Sequence, residues 1–195
     1  ISIKTKGNSS LAFPKKSYRF ETVDGAGNNV DKDLLEFPMD NDWILYAPYS
    51  DKALMRNFLT FDLGRKMGHY APRTVYCELV INGDYKGIYI LMEKIKRDKD
   101  RVDIAKLDSD DLAGDSLTGG YIIKVDKYTG TGGVDWLSDF PNISGGSLYI
   151  QYHYPEATAL QPQQLNYIEE YVDSFEYALN GLNFADTSIG YAKYI

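Results

Sequence analysis

Cysteine is nearly missing from these 195 residues: Cys77 stands alone. One cysteine excludes an internal disulfide and a cysteine-based metal cluster, and its mid-strand position suits a buried, inert thiol. Histidine is as scarce, with only His69 and His153, far apart in the chain. A histidine metal centre or a His-dependent triad would need the two to converge in space, so no metal-ligating residue is assigned. A basic excess is missing too. The formal net charge is −7, and cations concentrate only from Lys94 to Arg101, which argues against a nucleic-acid partner. No apolar run approaches the roughly 20 residues that span a bilayer, so no membrane span is expected. No signal peptide is legible. The chain opens on Ile1-Ser2-Ile3-Lys4 without an initiator Met, and the expectation is a piece of a longer protein. GxGxxG, Walker A, GxSxG and HExxH patterns are all absent.

Apolar residues make up 44% of the chain and aromatics 14%, enough for one sizeable core, or a core with a smaller lobe. The 17 tyrosines suit half-buried packing along strands, or a surface that holds sugar or protein. The organising stretch runs from Val75 to Arg101. Asn82-Gly83 supplies the positive φ angles of a type I′ turn, and alternating apolar residues flank it, predicting a β-hairpin. Val75, Cys77, Leu79 and Ile81 share one face of its first strand. On the second strand Ile88, Ile90 and Met92 lie opposite Tyr89, Leu91 and Glu93. A charged exit, Glu93 to Arg101, follows at once, and its Glu93 to Lys96 portion is expected to line a cleft.

Before the hairpin, Ile1 to Lys6 reads as a strand and Gly7-Asn8-Ser9-Ser10 as a turn of small polar residues that exposes backbone N–H groups. In Lys15 to Glu21, alternation groups Lys16 with Tyr18 and Phe20, and Lys15 with Ser17, Arg19 and Glu21. Leu34 to Pro38 is a short apolar piece, and Trp43 to Tyr46 another strand. Asp51 is a good N-cap for a helix reaching Met67, with Gly68 as its stop. After the hairpin come a strand at Gly119 to Asp126, an irregular Gly-rich stretch from Tyr128 to Gly146, and a strand at Ser147 to Tyr154. A second helix is predicted from Thr158 to Leu179, with Leu165, Ile168, Val172, Phe175 and Leu179 as its apolar stripe. Ile189 to Ile195 looks like the start of another helix. The order predicts an α+β fold with a mainly antiparallel sheet and two main helices.

Two acidic clusters are read as structural. Asp108, Asp110, Asp111 and Asp115 lack EF-hand spacing and suit a solvated loop; Asp40-Asn41-Asp42 suits a turn. The parts that remain follow the order of a protein-kinase small lobe: small-residue turn, lysine-bearing strand, helix, hairpin and charged exit. In such a lobe a lysine held by a carboxylate grips the nucleotide phosphates while exposed backbone groups read the base.

Several segments carry a more specific likeness. They are Lys6 to Ser10 with Phe13 to Phe20, Asn41 to Lys52 with Leu54-Met55-Arg56-Asn57, the hairpin through Met92 to Asp98, Arg101-Val102-Asp103-Ile104, and Gly119 to Asp126. Together they resemble the CotH (spore coat protein H) family of atypical protein kinases, densely from Lys4 to Asp126. The resemblance implies a diverged kinase-like fold, with a nucleotide-binding lobe over 1–98 and, over 99–195, the connection and incomplete start of a second lobe. It implies transfer of the ATP γ-phosphate, with Mg²⁺ or Mn²⁺, to Ser or Thr of coat or secreted proteins, in a protein that is extracellular, at the cell surface or in a spore coat. Carried over, the residues that would contact ATP are Lys16, or Lys15 if the register shifts, for phosphate; Glu93, near the adenine or as a lysine partner; and Arg56 and Lys124. Relatives of this kind carry catalytic and Mg²⁺-binding aspartates in an Asn/Asp-rich helix and a Trp-Asp-Phe or Trp-Asp-Tyr motif. Trp43 and Trp136 precede no such motif, so no catalytic residue is assigned and the piece by itself is expected to be inactive. The alternative is a non-catalytic coat-assembly or cell-surface binding module with a Tyr-rich surface. A carbohydrate-active enzyme would need two carboxylates facing across a cleft, which the 28 acidic residues leave unassigned.

Overall fold

The computed structural model describes residues 1–128 and 135–194. It divides into two compact units, Ile1–Val102 and Asp103–Ile195. Both are built on antiparallel sheets, so the α+β class expected from the sequence is the class observed.

The first unit is a five-stranded sheet of β1 (Ser2–Lys6), β2 (Ser17–Glu21), β3 (Asp42–Tyr46), β4 (Thr74–Ile81) and β5 (Asp84–Glu93), in spatial order β1-β2-β3-β5-β4. Its hairpin closes as predicted, with Asn82 at φ 51° and Gly83 at φ 83°, the left-handed pair of a type I′ turn. Register sets the core. Phe20 pairs with Trp43 and Leu45 with Leu91 across neighbouring strands, and Tyr89, with partly buried Val75, Cys77 and Leu79, joins the same cluster. The loop between β2 and β3 folds back over this face, stacking Phe37 on Trp43 with ring centroids 5.9 Å apart. Trp43 is fully buried, and a side chain of that class stabilises the fold by roughly 1.5–3 kcal/mol or more on burial.

Helix α1 (Arg56–Lys66) is shorter than the predicted span from Asp51. Leu54 takes a left-handed conformation at φ 59°, which interrupts helical geometry before Arg56. Asp51 still caps the helix from outside. Its buried carboxylate accepts from the Ala53 and Arg56 amides at 3.1 and 2.8 Å, and those bonds, the Arg56 amide first, hold the carboxyl below its ordinary range.

The second unit pairs β6 (Ile122–Asp126) and β7 (Asp135–Leu137) on either side of β8 (Tyr149–Tyr154). A one-turn helix, α2 (Gly114–Thr118), and the long α3 (Pro162–Asn180) accompany them. Part of the predicted irregular stretch, 129–134, lies outside the described residues, as does Ile195. Helix α3 starts at Pro162, not Thr158, because Ala157–Ala159 form a separate 3-10 turn and Gln161 and Gln164 form a reciprocal cap. Its buried stripe differs from the expected one. Ile168 and Val172 pack on Ile150, whereas Leu179 is exposed and Gln164 is buried. Gln164 sits there because its amide donates to the Asp108 and Asp111 carbonyls at 2.7 and 3.1 Å. Tyr191–Lys193 forms a 3-10 turn.

Candidate functional site

The turn joining β1 to β2 brings the two candidate lysines to one place. Gly7 stands at φ 133°, and a Cβ there would lie 2.1 Å from the Ser10 hydroxyl; only glycine allows the following 3-10 turn, Ser9–Ala12, to close. Strand β2 begins at Ser17, so the alternation that buries Phe20 does not extend back to the lysines. Lys16 curls onto its own loop, donating to the Leu11 and Phe13 carbonyls, both at 2.6 Å. Lys15 reaches across the sheet: its ammonium donates to the Ile88 carbonyl at 2.6 Å and lies 4.6 Å from the centroid of the Tyr89 ring. The Tyr89 hydroxyl in turn donates to the Lys16 carbonyl at 3.0 Å. Partial burial lowers the Lys15 pKa. Gly87, at φ 84°, leaves the ammonium its space, since a Cβ there would come within 3.4 Å of it.

The other candidates lie elsewhere. Glu93, 1% exposed, holds no lysine. It accepts from the Arg73 amide at 2.8 Å and from Arg73 Nη1 at 2.6 Å, fixing the end of β5 to the start of β4. Arg56 projects into solvent, with its Nε 3.6 Å from Asp51. Lys124 belongs to the second unit, exposed beside Asp126 at 3.4 Å.

The charged exit forms a network that sequence reasoning did not assign. Asp40, 4% exposed, accepts from Lys96 at 2.8 Å and pairs with Arg101 Nε at 3.1 Å, while Lys94 pairs with Asp42 at 3.1 Å. Burial alone would raise the Asp40 carboxyl. The hydrogen bonds from Lys96 and the Asp42 amide, with the charges of Arg101 and Lys96, outweigh burial and hold it below its usual range. The Arg101 guanidinium also covers the Trp43 ring at 5.0 Å. The only sequence signal for this network is the alternation of charges in Lys94 to Arg101, which names no partners.

Among the described residues, no group of three or more His, Cys, Asp or Glu side chains could hold a metal ion, and no helix is long and apolar enough to cross a membrane.

A glycine-shaped turn presenting lysines over an antiparallel sheet, followed by a capped helix and a hairpin, defines an α+β domain with a cationic loop at one sheet end. Residues 3–195 match the model of the CotH family, described as CotH kinase protein, and the chain belongs to that family. No curated protein matches it significantly. The CotH family is associated with the spore coat.

Proposed function

We propose that this chain carries the nucleotide-binding part of an ATP-dependent protein kinase that phosphorylates Ser or Thr of coat or secreted proteins outside the cytoplasm. The observation that carries the reading is the family match over essentially the whole chain. Residues 1–98 serve as the nucleotide lobe, and 99–195 begin the next. Lys15 is the better phosphate ligand of the two candidates. An ammonium has three donors; Lys16 directs two of its three at loop carbonyls, Lys15 one. The fixed ammonium and the amides of the Gly7 turn form a preorganised field for the β- and γ-phosphates. Glu93 acts by positioning: it locks the β4 and β5 ends and leaves the backbone beyond Glu93 to meet the base.

Among the described residues no three His, Cys, Asp or Glu side chains group to hold a metal ion, and none is assigned to Mg²⁺. In the overall transfer, the acceptor hydroxyl forms the new P–O bond, the bond to ADP breaks, and the hydroxyl proton passes to a base. Incubating the full-length protein with labelled ATP, Mg²⁺ or Mn²⁺ and a serine-rich acceptor tests this. Label transfer is expected, and a folded protein that transfers none with either metal overturns the reading. Exposed Tyr49, Tyr76 and Tyr85 support a second reading, a binding module with a Tyr-rich surface, for which ATP gives no thermal shift.

A further inference from the structure

A second polar site lies in the first unit, away from the lysine loop. A cavity of about 280 Å³ opens between the end of α1, the start of β4 and the end of β5. Three arginines line it, Arg65, Arg73 and Arg101, together with His69, Tyr70 and Glu93. Arg101 is the unusual member. Its side chain is 2% exposed. Nε is engaged with Asp40, and Nη1 donates to the Asp42 and Lys94 carbonyls at 3.0 and 2.8 Å. Nη2 is buried and has no hydrogen-bond partner. Unmet donors on a buried cation are costly, and in native proteins such a group points to a bound water or ion.

Each lining arginine has a carboxylate partner, Arg65 with Asp62 at 3.5 Å, Arg73 with Glu93 and Arg101 with Asp40, so it is the unmet Arg101 Nη2 donor, not an excess of charge, that draws an anion to this wall. Glu93 is neutralised by Arg73, and Asp100, the other acid in the wall, pairs with Lys99. The Arg73 guanidinium directs Nη1 at Glu93 and the Asp100 carbonyl, while its side chain stays 42% exposed. One effect opposes an anion here, because the C-terminal end of a helix is its negative pole. That pole is masked: the Leu63, Gly64 and Arg65 carbonyls accept from the amides of Met67, His69 and Gly68 at 2.9, 3.1 and 3.0 Å. At roughly 30 Å³ per water, the cavity holds a tetrahedral oxyanion with several waters.

We propose that this cavity binds a phosphate-type oxyanion, free or as a phosphoester, between Arg101 and Arg73, with Arg65 and His69 at its mouth. The site shares no residue with the Lys15 loop and does not depend on the nucleotide reading.

Titration of the purified chain with inorganic phosphate at constant ionic strength, followed by calorimetry, tests it, with phosphoserine as a competitor. His69 is exposed and Arg65 is 30% exposed in its side chain, so His69→Glu and Arg65→Gln test the site without opening the core; circular dichroism checks their folding. Saturable one-to-one binding is expected, weakened about tenfold by His69→Glu, less by Arg65→Gln, and unchanged by Lys15→Ala. Displacement by phosphoserine assigns the site to phosphoesters, and binding of phosphate alone assigns it to the free ion. Absence of saturable phosphate binding, or equal affinity in wild type and both mouth variants, overturns the proposal.

Discussion

The two units carry the same number of carboxylates and satisfy them differently. Residues 1–102 hold 17 basic and 14 acidic side chains, a formal charge of +3; residues 103–195 hold 4 basic and 14 acidic, a formal charge of −10. In the first unit the acids meet cations, as at Asp40 with Arg101 and Lys96, Glu93 with Arg73 and Asp62 with Lys66. In the second, Asp108 and Asp126 pair with Lys106 and Lys124, and other acids meet hydroxyls instead: Tyr152 donates to Glu169, Tyr177 to Asp139 at 2.7 Å and Ser138 to Glu176 at 2.7 Å. The titration directions follow. Asp40 is held low, whereas Asp173 is pushed up, first by burial and then by the charges of Asp139, Glu169 and Glu170. Both proposed anion sites lie in the first unit, where basic side chains outnumber acidic ones.

The largest expected effect breaks the first unit's network. Arg101→Leu leaves buried Asp40 with Lys96 and the Asp42 amide and uncovers Trp43. Losing one member of a buried ion pair costs about 3–5 kcal/mol, and the remaining Lys96 places the loss toward the lower end. Urea unfolding followed through Trp43 fluorescence, in a Trp136→Phe background, measures it; a loss under about 1 kcal/mol would mean that the network adds little. In the second unit, Tyr152→Phe removes one hydroxyl from the half-buried Glu169, and a loss of about 1 kcal/mol is expected, measured by urea unfolding followed through the circular dichroism of α3.

Acid separates the units by sign. An Asp ionises near 3.9 when unfolded, and Asp40 lies lower when folded. Its stabilisation is complete above about pH 5 and is lost as pH falls through the folded value. The urea midpoint of Asp40→Asn should therefore vary less between pH 5 and 3 than that of the wild type. For Asp173 the folded value is the higher one, so its charge destabilises at neutral pH and protonation relieves it. Asp173→Asn should raise stability slightly at pH 7 and not at pH 3; equal slopes for both variants would remove the contrast. Smallest of all, Lys66→Ala at the exposed i,i+4 pair with Asp62 should cost no more than about 0.5 kcal/mol.

Local features were legible and long-range pairing was not. Asn82-Gly83 fixed the hairpin, and alternation placed Val75, Cys77 and Leu79 on the core face, because both depend on neighbouring residues. The apolar spacing of α1 announced a helix, yet Leu59, Leu63 and Met67 remain 49%, 59% and 63% exposed, since periodicity shows a face and not what covers it. Arg73 with Glu93, and Asp40 with Arg101, join residues 20 and 61 positions apart, and no local pattern encodes such a meeting. The lysine register was ambiguous for a physical reason: alternation holds only inside a strand, and β2 starts one residue after Lys16.

The most direct measurement is ATP titration of the chain and of its Lys15→Ala and Lys16→Ala variants, followed by calorimetry. Saturable ATP binding is expected, weakened about tenfold by Lys15→Ala and much less by Lys16→Ala. No ATP binding by the folded chain, or equal affinity in wild type and Lys15→Ala, would contradict the assignment of the lysine loop to nucleotide phosphate.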